Sequence, residues 1–553
     1  VDAAKPRGFS DILFQEAARR ERLSACIGSH FAAAGYELIE TPSVEYLETL
    51  HSAAVTTEAE LREVFRFVDV DGRSLALRND VTRALARVVA SRFTLLAPPY
   101  RLRYRADVFR EQESLRGNER QITQLGIECF GLPREEGDRE ILQLALGSLR
   151  AAGISCAVLH LSDVGVIRAL LSDVEDCPQW YEAFSQAWHS GDFIRARELA
   201  EDGTLSASRA AAVVGLFNLR GGSAALDEAR ALLGDCALAQ AALSSVRENF
   251  EALAAAGFEN EVLVDFSLLP AFGYYSGLVF ELYARTGDGM ALVLGSGGRY
   301  DSLMEQFGRQ LPAAGFVYDL SRLERALADV EDGGGAPAVP ASRPLRIAVP
   351  KGKLYDDAIA LLERAGMRVP GMDAPGRSLR LRGGDYEIII AKPTDVAIYV
   401  SRGAADVGIG GRDILVEADF PLLQLIDLGF GGCEFVVAAP SSSQVSLDEL
   451  SLRLGTVRVA TKYPRLTQCF FDSRGIQVEI VKLNGNIELG PLIGIADVIV
   501  DITQTGTTLR ENDLIVLEKV LSSTARFVAN AVAARTDERV AALAARLEEL
   551  VRL

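Results

Sequence analysis

Several things are scarce in this chain, and each scarcity removes a class of function. Only four histidines occur, and they do not cluster. Seven cysteines are scattered as Cys26, Cys129, Cys156, Cys177, Cys236, Cys433 and Cys469, with no C-x-x-C pair. Together these argue against a zinc site or a disulfide framework, so a reducing, cytoplasmic setting is expected. Positive charge is outnumbered: 58 Lys and Arg face 76 Asp and Glu, a net charge of -18. That speaks against a general nucleic-acid or membrane-surface binder, while leaving room for a local basic pocket. No apolar run reaches the length of a membrane span. The opening stretch "VDAAKPRGFSDIL" lacks the apolar core of a signal peptide.

What is present is a long chain of ordinary globular composition. Its 553 residues are 49% hydrophobic and 24% charged, which calls for more than one core. One segment reads as a linker: "EDGGGAPAVPASRP", residues 331–344, is dense in Gly, Ala and Pro. It divides a module of residues 1–330 from one of 345–553, and no internal repeat is visible. The first module opens with an amphipathic helix pattern over Ile12 to Gly35. Strand patterns follow in "VFRFVDVDGRSLALR", "PYRLRYRADVFRE" and "RQITQLGIECFG", an antiparallel sheet flanked by helices. An Ala/Leu-rich region from Asp163 to Ala256 reads as helical. The second module alternates short apolar runs with helix patterns. Strands are expected at "LRIAVP", "YEIIIA", "ADVGIGG", "CEFVVAAP", "VRVATKY", "VEIVKL" and "ADVIVDI". That rhythm implies an α/β architecture of two sheets joined by crossing segments, with a ligand cleft between lobes of about 345–433 plus 516–553, and 434–515.

"DITQTGTTLREN", from Asp501, is the most suggestive short stretch. Gly506 permits close backbone approach, and N–H groups from Thr505 to Leu509 would point at an anion at the start of a helix. Hydroxyls of Thr503, Thr505, Thr507 and Thr508 add donors, and Asp501 ends the preceding strand. A Thr-rich helix cap would look the same in isolation.

Longer motifs resolve that ambiguity by resemblance. "GYELIETPSVE" with Pro42, "FREQESLRGNERQITQLGIECFG" with Arg110, "LALRNDVT", and "GFVYDLSRL" with Arg322 occur in order. They resemble motifs 1 and 2, a substrate segment and motif 3 of histidyl-tRNA synthetase. The resemblance implies an α+β class II aminoacyl-tRNA-synthetase-like module. It also implies that Asp80 (Glu in the family), Thr82, Gln124 and Glu128 contact the amino group or ring of histidine. Arg110 would meet its carboxylate, and Tyr274 and Tyr275 would frame its imidazole. The departures fall on catalysis. Pro270 stands where the family has the arginine that stabilises charge in adenylate formation, a loss of several kcal/mol. Asp319 and Ser321 replace the family's Gly and Glu in motif 3. No anticodon-binding domain follows. This combination resembles the synthetase-like regulatory subunit of short-form ATP phosphoribosyltransferase.

The second module resembles the short-form catalytic subunit of that enzyme, through "LRIAVPKGKL", "AKPTDVAIYVSRGAADVGIGGRDIL", "VEIVKLNGNIELGPLIGIADVIVDITQTGTTLREN" and "STARFVAN". The resemblance implies a bilobed, periplasmic-binding-protein-like α/β phosphoribosyltransferase module. It would condense ATP with phosphoribosyl pyrophosphate (PRPP), giving N1-(5-phosphoribosyl)-ATP and pyrophosphate, the first step of histidine biosynthesis. The N-terminal module would activate it and mediate feedback inhibition by histidine. Asp501, Thr503, Thr505, Gly506, Thr507, Thr508 and Leu509 would hold the PRPP 5′-phosphate and ribose. Lys351, Lys353 (Arg in the family) and Arg377 would stabilise the leaving pyrophosphate. Glu488 would meet the ribose or the adenine amine, beside Asn486 where Ser is usual. Lys462 and Tyr463 would line the ATP side. Arg412 and Asp413 either line the cleft or pair with each other. Mg2+ is the expected cofactor, carried on phosphate oxygens, and a homotetramer is the expected assembly. Two other readings compete: an active histidyl-tRNA synthetase fused to another domain, and a small-molecule-binding protein.

Overall fold

Alternating burial marks one long strand of the first unit. In Tyr100–Phe109 the buried positions are Tyr100, Leu102, Tyr104 and Val108, so one face of the strand meets the core. In a computed structural model, residues 5–50, 64–111, 119–174, 176–268, 274–286, 291–330, 343–443, 446–503 and 506–552 are described. The chain divides into two units, the first of residues 1–189 and 195–340, the second built on 341–553. Residues 331–342 of the Gly/Ala/Pro-rich segment lie outside the described residues.

The first unit contains β1 (Glu37–Leu38), β2 (Val44–Tyr46), β3 (Arg66–Val68), β4 (Ser74–Leu77), β5 (Tyr100–Phe109), β6 (Gln121–Phe130), β7 (Val158–Asp163), β8 (Arg220–Gly221), β9 (Val262–Asp265), β10 (Leu278–Arg285), β11 (Ala291–Arg299) and β12 (Ala313–Asp319). Nine of these form one sheet in the order β1-β5-β6-β12-β11-β10-β7-β9-β8, antiparallel from β5 through to β7. The strands of "VFRFVDVDGRSLALR" do not join it. They pair as β3 and β4 in a separate three-stranded sheet with β2. The opening helix runs Phe14–Ala33 and buries Leu23, Ile27 and Phe31, an i, i+4, i+8 stripe. The Ala/Leu-rich region is helical, with helices at Val164–Leu170, Pro178–His189, Phe193–Ala200, Ala207–Leu216, Ser223–Leu233 and Ala237–Leu253.

The second unit adds β13 (Leu345–Pro350), β14 (Arg380–Gly383), β15 (Tyr386–Ala391), β16 (Val407–Gly411), β17 (Leu423–Asp427), β18 (Cys433–Pro440), β19 (Val457–Thr461), β20 (Val478–Lys482), β21 (Val498–Thr503), β22 (Leu514–Ser523) and β23 (Ala525–Ala529). They form two mixed sheets: β14-β15-β13-β16-β23-β17, and β20-β19-β21-β18-β22. Each sheet has its own core, one around Val396, Val400 and Val528, the other around Phe435, Val459 and Val500. The chain crosses outward between β17 and β18 and returns at Thr524, between β22 and β23. The sequence-based return at 516 is therefore wrong, because it cuts through β22. That strand was missed, along with β14, β17 and β23, for a physical reason. β22 is an edge strand whose pairing with β18 shifts register twice, so its apolar residues lose strict alternation.

Asn530 secures the end of the first of these sheets. Its side-chain oxygen caps the helix Ala531–Thr536, accepting from the N–H groups of Val532 and Ala533, each at 3.0 Å. Its amide donates to the carbonyls of Val400 and Ser401. Asn530→Ala removes a helix cap together with the amide bonds to the Val400 and Ser401 carbonyls, so it should cost about 2 kcal/mol. Calorimetry should show one lowered transition, and an unchanged thermogram would contradict this account of the helix.

Candidate functional site

Two sites emerge, one in each unit. In the first, period-two alternation puts Gln124, Gly126 and Glu128 on one face of β6, with Tyr104 of β5 opposite Gly126 and Gly315 of β12 opposite Glu128. Both glycines are required by close approach. A Cβ on Gly126 would sit 2.4 Å from the Tyr104 hydroxyl, and one on Gly315 would sit 1.9 Å from Glu128 Oε2. Above this floor lies a cavity of about 120 Å3. All seven residues expected to contact histidine line it: Asp80, Thr82, Arg110, Gln124, Glu128, Tyr274 and Tyr275.

The polar groups of this cavity are built in. Thr82 donates to Glu128 Oε1 at 2.6 Å, Tyr300 donates to Oε2, and the Tyr104 hydroxyl bonds the same carboxyl. Those three bonds favour the ionised form. Burial and the nearby Asp80 oppose them and win, so the Glu128 pKa is pushed up to about 8. Asp80 accepts from the Thr82 N–H at 3.1 Å through Oδ1, while its Oδ2 is buried without any hydrogen-bond partner. An orphaned carboxylate oxygen beside a second carboxyl group suits an N–H-rich, cationic ligand group. Tyr274 and Tyr275 form the apolar side, with ring centroids 5.0 Å apart, and Tyr300 meets Tyr274 edge-on at 5.8 Å.

Sequence reasoning did not pick out Tyr104 and Tyr300 as site residues. A tyrosine in a strand reads as core, and only cross-strand register reveals its hydroxyl beside Glu128. Tyr300 follows buried Arg299, which donates to Asp138 and Asp301, each at 2.8 Å. Arg322 keeps its place in motif 3, but Asp319 pairs with it at 3.0 Å and it donates to the Val293 carbonyl at 3.0 Å. Pro270 lies outside the described residues.

In the second unit, Asp501 is half-buried on β21, and its Oδ1 accepts from the Ile502 N–H at 2.8 Å. Burial raises its pKa, Glu488 adds to that, and Lys462 counteracts it, which places the three side chains together. Thr503 Oγ1 accepts from the Gly506 N–H at 3.0 Å. Gly506 takes the left-handed conformation, φ +68°, open to solvent on the side a Cβ would occupy. Thr507 and Thr508 are exposed, whereas the Leu509 side chain is buried, leaving only its backbone for a ligand. Thr505 lies outside the described residues. The helix that follows, Thr507–Glu511, is only five residues long. With so few aligned peptides its macrodipole is small, so any anion here depends on the N–H and hydroxyl donors themselves.

Tyr463 reaches the same region. Burial raises its phenol, and Asp413, Asp501, Cys433 and Glu417 lie near enough to add to the effect. Lys353 lies near Cys433, whose thiol is raised by burial and by Asp413. Lys351 and Arg377 are exposed, and no contact among the described residues ties Arg377 to the others. Arg412 and Asp413 are not a pair. Asp413 accepts from the Ser523 hydroxyl at 2.8 Å, and Arg412 donates to the Ser522 carbonyl at 3.2 Å. Among the described residues no group of three or more His, Cys, Asp or Glu is arranged to hold a metal, and no helix is long and apolar enough to cross a membrane.

The first unit thus joins a nine-stranded sheet to a polar cavity, and the second carries a Thr-rich loop on a two-sheet α/β scaffold. Comparison with known proteins defines both. The family model for histidyl-tRNA synthetase matches residues 8–323, and that for ATP phosphoribosyltransferase matches residues 392–549. An ATP phosphoribosyltransferase of Rubrobacter xylanophilus is 47% identical over 188 residues, 34% of this chain and 87% of that protein. An ATP phosphoribosyltransferase regulatory subunit of Moorella thermoacetica is 36% identical over 318 residues, 58% of this chain and 80% of that protein. A crystal structure of an ATP phosphoribosyltransferase regulatory subunit/histidyl-tRNA synthetase from Bacillus halodurans aligns with a TM-score of 0.53 and 28% identity, covering 70% of this chain and 93% of that one. The chain belongs to the histidyl-tRNA synthetase family through its first unit and to the ATP phosphoribosyltransferase family through its second.

The buried acid sets a pH test for the first site. Because the folded pKa of Glu128 lies above its ordinary value of 4.5, its contribution is most favourable below that value and is lost as pH rises toward about 8. Glu128→Gln removes the titration. Its stability relative to the parent should therefore improve between pH 5 and pH 8, read from urea midpoints at both. A difference independent of pH would show that Glu128 ionises normally.

Proposed function

We propose that this single chain carries both a phosphoribosyl transfer catalyst and the histidine sensor that controls it. The second unit condenses ATP with PRPP, giving N1-(5-phosphoribosyl)-ATP and pyrophosphate, the first step of histidine biosynthesis. Its two sheets are read as the two lobes of a periplasmic-binding-protein-like cleft. Adenine N1 has a free lone pair, so attack on the ribose C1 needs no strong base, and catalysis rests on positioning and electrostatics.

The PRPP 5′-phosphate binds the N–H groups and hydroxyls of Thr505 to Leu509, and the ribose hydroxyls donate to Asp501. Lys351, Lys353 and Arg377 stabilise the leaving pyrophosphate. Lys353 is a cation without the planar fork of the family's Arg, so it acts as a point charge. Glu488 meets the ribose or the adenine amine, with Lys462 and Tyr463 on the ATP side. Mg2+ bound to PRPP would neutralise phosphate charge. Asp501 and Glu488, whose mutual repulsion contributes to the raised pKa of Asp501, fit it as nearby carboxylates.

The first unit binds free histidine and makes no adenylate. Asp80 takes the ammonium group, Glu128 and Gln124 the imidazole, and Arg110 the carboxylate. The observation that carries this reading is the buried, donorless Oδ2 of Asp80 in a cavity lined by all the expected residues. Asp319 supports the loss of synthetase activity by pairing with Arg322, the motif 3 cation. Histidine then inhibits by favouring one arrangement of the chain over another, through a difference in affinity between the two. A homotetramer of such chains is the proposed assembly.

Purified chain with ATP, PRPP and Mg2+ should release phosphoribosyl-ATP and be inhibited by histidine. Asp80→Asn should raise the half-inhibitory histidine concentration at least about tenfold, the worth of one charge-assisted bond, with kcat within about twofold. Inhibition of the variant at parental histidine concentrations would place the regulatory site elsewhere.

A further inference from the structure

The two halves of the second unit are joined by more than their two chain crossings. The helix Arg412–Ala418 follows β16 of the first sheet, and the helix Pro464–Ser473 follows β19 of the second. The first of these straddles both cores: Leu415 is buried with Val396 and Val528, while Val416 packs beside Tyr463 on the core of the second sheet. The second helix begins without a cap of its own, since the side chain of its N-cap residue, Tyr463, makes no capping bond. The missing acceptor comes from the other half. Glu417 accepts from the Leu466 N–H through Oε2 at 2.9 Å and from the Arg465 N–H through Oε1 at 3.3 Å. Asp419, next on the same segment and in the left-handed conformation, pairs with the Arg465 guanidinium at 2.5 Å.

We infer that Glu417 is a positioning residue for phosphoribosyl transfer: it caps the helix Pro464–Ser473 from the opposite half of the cleft and so fixes Lys462 and Tyr463 against the substrate. A carboxylate at a helix N-terminus satisfies orphan N–H groups and opposes the positive end of the dipole. Here the capped helix starts one residue after the pair proposed to face ATP. Any change in the angle between the halves must break the cap, so the arrangement of Tyr463 and the angle of the cleft are linked. The inference rests on the ATP-side reading of Lys462 and Tyr463.

Steady-state kinetics on the full chain test it. Glu417→Ala should raise KM for ATP about fivefold, the effect of losing one helix cap. KM for PRPP and kcat should stay within about twofold. Glu417→Gln keeps one acceptor oxygen and should recover most of the loss. Asp419→Ala removes an exposed ion pair to the same Arg465 and should change KM for ATP less than about twofold. A purely structural Glu417 would lower the melting temperature or the active fraction and leave KM for ATP unchanged, which would overturn the inference. An equal rise in both KM values would also overturn it. Tyr463→Ala, measured alongside, separates the two layers. An unchanged KM for ATP in that variant removes the ATP-side reading, whereas an ATP effect there with none in Glu417→Ala removes the clamp.

Discussion

The first unit is organised around two acids that cannot both be comfortable. Asp80 lies close enough to Glu128 for its charge to help raise the Glu128 pKa, in a pocket whose walls are tyrosines and whose floor is sheet. Three hydroxyls satisfy Glu128, yet burial still lifts its pKa, and Asp80 keeps one oxygen without a donor. Such an arrangement is unfavourable when empty and favourable when a cationic, donor-rich group enters. The surrounding structure serves this constraint. Gly126 and Gly315 are small so that Tyr104 and Glu128 can approach, and Arg299 with Asp138 and Asp301 braces the strand that ends beside Tyr300. On the proposed reading, the same fold that supports adenylate chemistry in a synthetase keeps its recognition half. Its motif 3 cation is occupied by Asp319.

The second unit uses charge differently. Its cations, Lys351, Lys353, Arg377 and Lys462, are exposed, and its acids Asp413 and Asp501 are buried or half-buried. Exposed cations suit anionic substrates that arrive solvated and leave as pyrophosphate, while fixed acids suit hydroxyls that must be oriented. Thr503 accepts from the N–H of left-handed Gly506, and the helix that follows is only five residues long.

Much of this was legible in the sequence where function is packed into contiguous runs. The pocket residues Asp80, Thr82, Gln124, Glu128, Tyr274 and Tyr275 were legible through resemblance to histidyl-tRNA synthetase, because each lies in or beside a short motif. Tyr104 and Tyr300 were not, because their hydroxyls become relevant only through the cross-strand pairs Tyr104 with Gly126 and Glu128 with Gly315. The two-sheet plan of the second unit was visible in its apolar rhythm. The return crossing was misplaced because β22 is a bulged edge strand, and bulges erase the period that marks a strand. The pairing of Asp413 with Ser523 was out of reach for a similar reason: 110 residues separate them, and neither type signals a partner.

The central claim is that a ligand held by Asp80 and Glu128 is energetically coupled to substrate held by the Asp501 loop. Linkage makes that claim reciprocal: if histidine weakens substrate binding, substrate must weaken histidine binding by the same factor. The direct measurement is histidine affinity of the full chain by isothermal titration calorimetry, without and with saturating PRPP and Mg2+. The account predicts tight histidine binding in the absence of PRPP and a weaker affinity in its presence. Identical affinities in both conditions would contradict it.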